Sequence, residues 1–345
     1  MPIATTLLIV LASRPIIDFP EEFVVLLDRG VARLELDRLL VGLARLLQLA
    51  LVLVGDCEVV EGRGVGRVDF EGPPPLVDCF APETALRDVE ELLDMSKAEV
   101  GKWSPYAVRI SGIAPGDVPA VVDGRAAVQD EGSQLVALAL AHAPIEGSDS
   151  QWLDLCAGPG GKAGLLAALA HTRGGSLTAV ELQPHRADLV RKTLRGVPGA
   201  HDVRVADGRT VTGSFDRVLV DAPCTGLGVL RRRPESRWRR EPGHIGELTP
   251  LQKELLLNAI ACTRPGGVIA YVTCSPHLAE TELVVDAVLK AGHVDRLDAR
   301  EVALTIPGLR NRDEFGACTE PGPYLRLWPH RHDTDGMFLA LLRRR

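Results

Sequence analysis

The sequence predicts an α/β protein with a mostly parallel sheet that is covered by helices on both faces. From residue 151 onward, short apolar runs of strand length alternate with stretches of helical length. This alternation is typical of strands joined by crossover helices in a parallel sheet. The 345 residues are 46% hydrophobic and 25% charged, so the chain can build a large core under a charged surface.

The predicted strands of this region are short and aliphatic, and they are expected at residues 152–156, 176–180, 203–205, 217–220, 268–273 and 337–342. The predicted helices between them span residues 162–170, 185–194, 250–263 and 280–291. The helix at 250–263 has the clearest predicted start. Thr249 can cap it, Pro250 suits its first position, and Gln252 completes a capping box.

The chain before residue 149 is less regular. Residues 1–75 mix apolar stretches with Gly and Pro and end in a proline run, so we expect an atypical N-terminal extension, truncated or rearranged. Residues 76–148 predict a smaller α/β subdomain, with a strand at Ala107–Ile110 and helices at 83–95 and 129–143. The apolar runs near the start lack the flanks of a signal peptide and the length of a membrane span.

Charge and cysteine content restrict the class of protein. A net charge of −7 argues against a surface that binds nucleic acid everywhere, but it allows a local basic patch. Six arginines fall between Arg231 and Arg240, and this run is either a solvated surface or a phosphate-binding patch. The seven cysteines include no CxxC pair, so we expect reduced thiols, a cytoplasmic location and no metal.

A glycine-rich loop, DLCAGPGGK, follows the first strand of the predicted sheet and spans Asp154 to Lys162. Its glycines allow a sharp turn into a helix and a close approach of a ligand to the main chain. Acidic residues end or follow the next three strands, at Glu181, Asp207 and Asp221. Carboxylates at these positions suit the ribose and adenine of a nucleoside. Because the GxGxxG pattern of dinucleotide sites is absent, S-adenosylmethionine fits better than a nicotinamide cofactor.

Two cysteines lie at the ends of neighbouring predicted strands, Cys224 in DAPCTG and Cys274 in TCSP. A buried structural thiol is the ordinary interpretation of either one. Both, however, lie at the sheet edge that carries the glycine-rich loop. A thiolate that adds to carbon 6 of cytosine makes carbon 5 reactive toward a sulfonium methyl group. A base must then remove the proton from carbon 5 so that the cysteine leaves.

In these segments the chain resembles the RsmB/Nol/Sun (Fmu-like) family of RNA cytosine-C5 methyltransferases. The resemblance covers about residues 104–345 and rests on VQDEGS, CAGPGGK, DAPCTG, TCS and the terminal LWPH and DGMF segments. It implies a Rossmann-like class I methyltransferase domain over residues 149–345, with a mostly parallel seven-stranded sheet. Residues 76–148 would be a small RNA-binding subdomain. Residues 1–75 do not match the all-helical, NusB-like domain that precedes the catalytic part in bacterial relatives.

The resemblance also implies roles for the candidate residues. Cys274 would attack the base, Cys224 would assist breakdown of the adduct, and Asp221 with Lys162 would hold the cytosine. The cofactor S-adenosylmethionine would be bound by Cys156, Ala157, Gly158, Pro159, Gly160, Gly161, Lys162, Glu181, Arg186, Asp207 and Asp221.

The expected partner is RNA, with small-subunit rRNA favoured, and its target cytosine would be single-stranded or extruded. Trp238, amid the arginines, could stack on a splayed nucleotide. His330 is either a substrate contact or a structural histidine. We expect a monomer that binds neither a membrane nor a metal.

Other interpretations remain open at this point. A catalytically impaired RNA-binding assembly factor would keep the fold without the chemistry, and tRNA could replace rRNA as the substrate. A DNA cytosine methyltransferase would use Cys224 as nucleophile and leave Cys274 without a role. An amino-group methyltransferase would favour an aromatic residue after Pro223, and a nicotinamide dehydrogenase would need a dinucleotide loop.

Overall fold

The computed structural model describes residues 22–27, 30–35, 58–61, 64–67, 76–79, 91–95, 98–241 and 243–345. The chain separates into two compact units, Met1–Glu71 and Gly72–Arg345. The first unit holds two antiparallel strand pairs, β1 (Glu22–Leu27) with β2 (Gly30–Glu35) and β3 (Glu58–Glu61) with β4 (Gly64–Arg67). The predicted boundary at residue 148 lies inside the second unit and stays a prediction.

The second unit begins with a four-stranded antiparallel sheet in the order β6-β7-β5-β8. Its strands are β5 (Leu76–Cys79), β6 (Ala98–Val100), β7 (Ala107–Ile110) and β8 (Ala126–Val128). A short helix, α1 (Pro119–Val122), and the buried side chains of Leu92, Val108 and Ile110 contribute to its core. The predicted strand β7 is confirmed. Of the predicted helix 83–95, residues 91–93 are helical and residues 83–90 lie outside the described residues.

The predicted α/β fold with a mostly parallel sheet is confirmed. The large sheet runs in the order β11-β10-β9-β12-β13-β16-β14. Its strands are β9 (Gln151–Asp154), β10 (Ser176–Glu181), β11 (Ala200–Val205), β12 (Phe215–Asp221), β13 (Thr263–Thr273), β14 (Val294–Leu297), β15 (Leu325–Leu327) and β16 (Met337–Arg344). Strands β9 to β13 are parallel to one another, whereas β16 is antiparallel to β13 and to β14.

The continuous strand order of the sheet has the predicted seven strands, and an eighth strand pairs outside that order. The additional strand, β15, pairs with the first half of β16, while β14 pairs with the second half. Both strands are too short to produce a clear periodic pattern, since they have three and four residues. Neither had been predicted from the sequence.

The further helices that the structure describes in the second unit are α2 (Glu131–His142), α3 (Gly161–Thr172), α4 (Pro184–Leu194), α5 (Ser236–Arg239), α6 (Gly243–Cys262), α7 (Glu282–Leu289), α8 (Ala299–Leu304), α9 (Arg312–Cys318) and α10 (Pro329–His332). Those on one face of the sheet, including α2 and α3, share a core with Val268, Ala270 and Val272 of β13. Those on the other face, α6 and α7, share a core with Ile269 and Tyr271. Because adjacent strand residues point to opposite faces of the sheet, the continuous apolar run of β13 supplies side chains to both cores.

The predicted start of α6 was wrong. The helix begins at Gly243, so Pro250 lies within it rather than at its first position. The Thr249 hydroxyl donates to the Ile245 carbonyl over 2.7 Å and caps no helix end. A proline inside a helix removes one backbone donor, and tertiary packing can offset that loss. In the described part of the chain, no helix has both the length and the apolarity required to span a membrane.

Candidate functional site

The glycine-rich loop joins β9 to α3 at the carboxyl edge of the sheet, as predicted. Gly160 has a φ of +121°, a conformation that side chains other than glycine rarely adopt. A Cβ atom at Gly158 would lie 2.3 Å from Oε2 of Glu181. The loop therefore needs glycine at both positions, one for its backbone angle and one for its contact with a carboxylate.

Glu181, at the end of β10, is buried and holds this loop. Its Oε2 accepts a hydrogen bond from the Gly158 amide over 3.1 Å, and its Oε1 accepts one from the Gln183 amide over 2.9 Å. Arg186 donates to the Gly158 carbonyl over 2.6 Å and lies 3.6 Å from Oε2 of Glu181. Arg186 thus contacts the loop and the acid together.

Asp207 lies after β11 and caps a short 3-10 turn, where it accepts a hydrogen bond from the Arg209 amide. The Arg209 guanidinium bonds both of its carboxylate oxygens and also reaches Glu254 over 2.9 Å. The hydrogen bonds from Arg209 lower the pKa of Asp207. Asp207 is therefore ionised at neutral pH and paired with an arginine that the sequence pattern had not indicated.

Lys162, in the first turn of α3, and Asp221, at the end of β12, form an ion pair. The Lys162 ammonium lies 2.8 Å from Oδ2 of Asp221 and 3.3 Å from the Ser133 hydroxyl. Burial acts to lower the pKa of Lys162, but the attraction of Asp221 outweighs it and the pKa is raised. This side chain consequently keeps its positive charge beside the cysteines.

Burial raises the pKa of two groups at the start of the loop. Burial and the nearby Asp221 raise the pKa of Asp154 to about 7. Burial also raises the pKa of the Cys156 thiol well above its usual value, and the surrounding carboxylates add to the effect. Cys156 is therefore a poor nucleophile, which separates it from the cysteines of the next two strands.

Cys224 and Cys274 follow β12 and β13, and their sulfur atoms lie 3.4 Å apart. The hydrogen bond from Cys224 lowers the pKa of Cys274, with a further contribution from the Lys162 charge. Donating that hydrogen bond, together with burial, raises the pKa of Cys224. The two thiols are thus unequal, and Cys274 is the more acidic of the two.

Two arginines of the run, Arg231 and Arg232, pair with carboxylates, so the prediction of a phosphate-binding patch is wrong for these two. Arg231 pairs with Asp130 over 3.3 Å and with Asp333 over 2.7 Å. Arg232 makes a bidentate contact with the buried Asp335. Burial and the adjacent Asp335 raise the pKa of Asp130 to about 6. A buried carboxylate is costly unless it is paired, so these two arginines pair with carboxylates rather than with phosphate. Through these pairs they join three segments of the chain.

Other side chains of the run are exposed and include Arg233, Arg237, Trp238 and Arg240. The Trp238 side chain is 76% exposed, and the Arg237 guanidinium lies 5.7 Å from the centre of its ring. His330 is exposed on α10 and its ring lies 6.1 Å from that of Trp328, so both interpretations of this residue stay predictions. The buried histidine of that one-turn helix is His332, which packs against the rings of Trp103 and Phe315.

No group of three or more His, Cys, Asp or Glu side chains in the described ranges could hold a metal ion. The site is instead built from a glycine-rich loop, a lysine–aspartate pair and two thiols. All of them lie where parallel strands end, which is the edge at which ligands bind in open α/β sheets.

The chain is similar to known methyltransferases in sequence and fold. The family described as 16S rRNA methyltransferase RsmB/F matches residues 139–343. A Mycobacterium tuberculosis protein that is named as a methyltransferase is 54% identical over 256 residues, which cover 74% of this chain and 54% of that protein. The human 28S rRNA (cytosine(4447)-C(5))-methyltransferase is 33% identical over 272 residues, which cover 75% of this chain and 33% of that protein.

A solved structure of a methyltransferase homolog from Pyrococcus horikoshii shares the fold. Its TM-score is 0.63 at 23% identity, and the match covers 80% of this chain and 88% of that chain. The chain spans about half the length of the mycobacterial relative, at 54%, and about a third of the human one, at 33%.

Proposed function

The chain belongs to the RsmB/F family of 16S rRNA methyltransferases, and from this premise we propose that it methylates carbon 5 of a cytosine in RNA, with S-adenosylmethionine as donor. The observation that carries the proposal is the pair of unequal thiols, Cys224 and Cys274, with sulfurs 3.4 Å apart. The Lys162–Asp221 ion pair lies beside them. Small-subunit rRNA is the proposed substrate.

The loop at residues 156–162 lies at the carboxyl edge of the sheet, where ligands bind in open α/β sheets, and Glu181 at the end of β10 holds it. We propose that this loop, Glu181, Asp207 and Asp221 hold the cofactor. Arg186 supports them by binding the Gly158 carbonyl. When bound, S-adenosylmethionine supplies an electrophilic methyl group on its sulfonium.

Cys274 is the proposed nucleophile because its pKa is lowered, whereas that of Cys224 is raised. Its thiolate adds to carbon 6 of the cytosine and makes carbon 5 an enamine-like nucleophile. The charged Lys162 and its partner Asp221 hold and polarise the ring. This inequality of the thiols also disfavours the alternative in which Cys224 attacks the base.

Cys224 is proposed to act when the adduct breaks down. Its pKa is raised chiefly by the hydrogen bond to Cys274. Once Cys274 is bonded to carbon, that hydrogen bond is lost and Cys224 becomes more acidic. It can then give up its proton to solvent water, and its thiolate accepts the proton on carbon 5, after which Cys274 is eliminated as a thiolate.

The RNA is proposed to cross the surface around Trp238. An exposed aromatic ring flanked by arginine can stack on an unpaired base. The remaining exposed cations of the run, Arg233, Arg237 and Arg240, suit the flanking phosphates.

Bisulfite sequencing of total RNA tests this function. Cells that lack the gene are compared with cells that express either the wild-type protein or Cys274→Ala. We expect one rRNA cytosine to lose protection without the gene and to regain it only with the wild-type protein. If a tRNA cytosine loses protection instead, the substrate is tRNA rather than rRNA. If no cytosine loses protection, the protein is better interpreted as an RNA-binding assembly factor.

A further inference from the structure

The buried carboxylate of Glu280 lies between the two loops that carry the cysteines. It follows β13 in a short 3-10 turn, Leu278–Glu280, and its side chain is fully buried. Tyr271 of β13 donates to its backbone carbonyl over 2.8 Å, which secures the turn against the sheet. This hydrogen bond fixes the backbone from which the Glu280 carboxylate extends.

Four donors converge on this carboxylate. Oε1 accepts hydrogen bonds from the Thr225 amide over 2.8 Å and from the Gln252 side chain over 3.0 Å. Oε2 accepts hydrogen bonds from the Thr225 hydroxyl over 2.5 Å and from the Ser275 hydroxyl over 2.6 Å. Thr225 and Ser275 are the residues that directly follow the two cysteines, so one side chain connects both cysteine-bearing segments.

Gln252 extends the connection to the other side of the first cysteine. Its amide also donates to the Pro223 carbonyl over 2.9 Å, directly before Cys224. The segment around Cys224 is thus bonded on both sides, through Pro223 and Thr225. Glu280 is fully buried, and its hydrogen bonds offset the cost of burying it.

We propose that Glu280 is a positioning residue that sets the distance between the sulfurs of Cys224 and Cys274. The roles of those cysteines rest on the proposed function, whereas the distance itself does not. The two segments leave different strands, and Glu280 joins them through the Thr225 and Ser275 hydroxyls, whose oxygens lie 3.3 Å apart. A displacement of about 1 Å at reacting atoms reduces turnover by about a hundredfold, so this contact bears directly on rate.

Disulfide formation by the two thiols measures their separation without RNA or cofactor. In a glutathione redox buffer, the Cys274 thiolate displaces one glutathione thiolate from glutathione disulfide. The Cys224 thiolate then displaces the second from the mixed disulfide, so one protein disulfide and two glutathione thiols are formed. The equilibrium constant of this exchange gives the effective concentration of one cysteine thiol relative to the other. Mass spectrometry of peptides confirms that the disulfide joins Cys224 to Cys274.

The variants differ in how much of the connection they remove. Glu280→Ala removes the acceptor that the four donors share, and we expect the effective concentration to fall by about a hundredfold. Glu280→Gln keeps one acceptor, and its amide can donate to the two hydroxyls, so we expect a value within about tenfold of wild type. Thr225→Val and Ser275→Ala each remove one hydroxyl and should give intermediate losses.

Asp216→Ala is the matched control. Asp216 is also a buried carboxylate with several donors, from Ser150, Gln151 and Arg264, but it lies at the opposite end of β12. It should lower thermal stability without changing the disulfide constant. If Glu280→Ala does not fold, Glu280→Gln, Thr225→Val and Ser275→Ala provide the same comparison.

Methyl transfer supplies a second readout. We expect Glu280→Ala to lower kcat by about a hundredfold and to leave the Kd for S-adenosylmethionine unchanged, since Glu280 does not contact the cofactor loop. Unchanged disulfide constants in the Glu280, Thr225 and Ser275 variants would overturn the positioning role. A wild-type protein that forms the disulfide but transfers no methyl group would instead refute the proposed function.

Discussion

The backbone amide of Gly228 donates a hydrogen bond to the carbonyl oxygen of Cys274 over 2.9 Å. The loop after β12 therefore binds the residue that we propose as nucleophile. Gly336 in turn donates to the Gly228 carbonyl over 2.8 Å, which brings the terminal DGMF segment to the same point. Three segments distant in sequence meet at one glycine.

Replacement of Gly228 by alanine should disturb this meeting point. A Cβ atom there would lie 2.1 Å from the Gly336 carbonyl oxygen and 2.9 Å from that of Cys274, so backbone must shift. We expect a loss of about 1–3 kcal/mol in the free energy of unfolding and at least a tenfold loss of kcat. Urea denaturation and methyl-transfer assays measure the two effects.

The control is Gly246→Ala, because nothing lies within 4 Å of a Cβ atom at that position in α6. That variant should be as stable as wild type or slightly more so, since alanine favours helix. Wild-type turnover in Gly228→Ala would show that the segment tolerates displacement.

The two cysteines should give opposite phenotypes when each is replaced by alanine. Without Cys274 no carbon–sulfur bond can form, so we expect neither methyl transfer nor a covalent RNA–protein species. Without Cys224 the adduct forms but its breakdown is slowed, so the covalent species should accumulate. Denaturing electrophoresis with labelled RNA separates these outcomes, with Cys318→Ala as a control outside the site. Identical behaviour of the two site variants would contradict the assigned roles.

The reactivity of Cys274 with iodoacetamide should reveal its lowered pKa. The hydrogen bond from Cys224 is the main cause of the lowering and the Lys162 charge contributes. We expect the alkylation rate of Cys274 to rise with pH and to level off at a lower pH than that of an ordinary thiol. In Cys224→Ala and in Lys162→Met the inflection should move to higher pH. An inflection that stays in place in both variants would show that neither group stabilises the thiolate.

How much of this site the sequence could predict depends on how local each feature is. Strand ends are local, so the positions of the glycine-rich loop, Asp221 and both cysteines at one edge of the sheet followed from the alternating pattern. The partners of those residues are not local. Gln252 appeared to belong to a capping box, but its side chain bonds Pro223 and Glu280 across the fold.

The arginine run illustrates the same limit. The sequence shows six neighbouring cations, and it cannot show that Arg231 and Arg232 meet acids from the QDEGS and DGMF segments. The ion pairs form only after the sheet has brought both segments beside the loop. The acidic residues of the QDEGS and DGMF segments were the one signal in the sequence for these ion pairs.

Asp154 should make the stability of the protein depend on pH. Burial and the neighbouring Asp221 raise the pKa of this carboxyl from 3.8 to about 7 in the folded state. The folded state therefore favours the protonated acid, and this contribution to stability is fully present below about pH 4. It is lost as the pH rises toward 7, because the unfolded chain ionises first. The shift corresponds to at most about 4 kcal/mol at pH 7 and above.

Asp154→Asn removes this titration and keeps an oxygen that can accept the hydrogen bond from the Cys156 amide. We expect the free energy of unfolding of the wild type to fall more steeply between pH 4 and 7 than that of the variant, as measured by urea denaturation at a series of pH values. The difference should be largest at pH 7 and should not grow beyond pH 8. Parallel curves for the two proteins would mean that Asp154 is ionised in the fold, with Lys162 offsetting its charge.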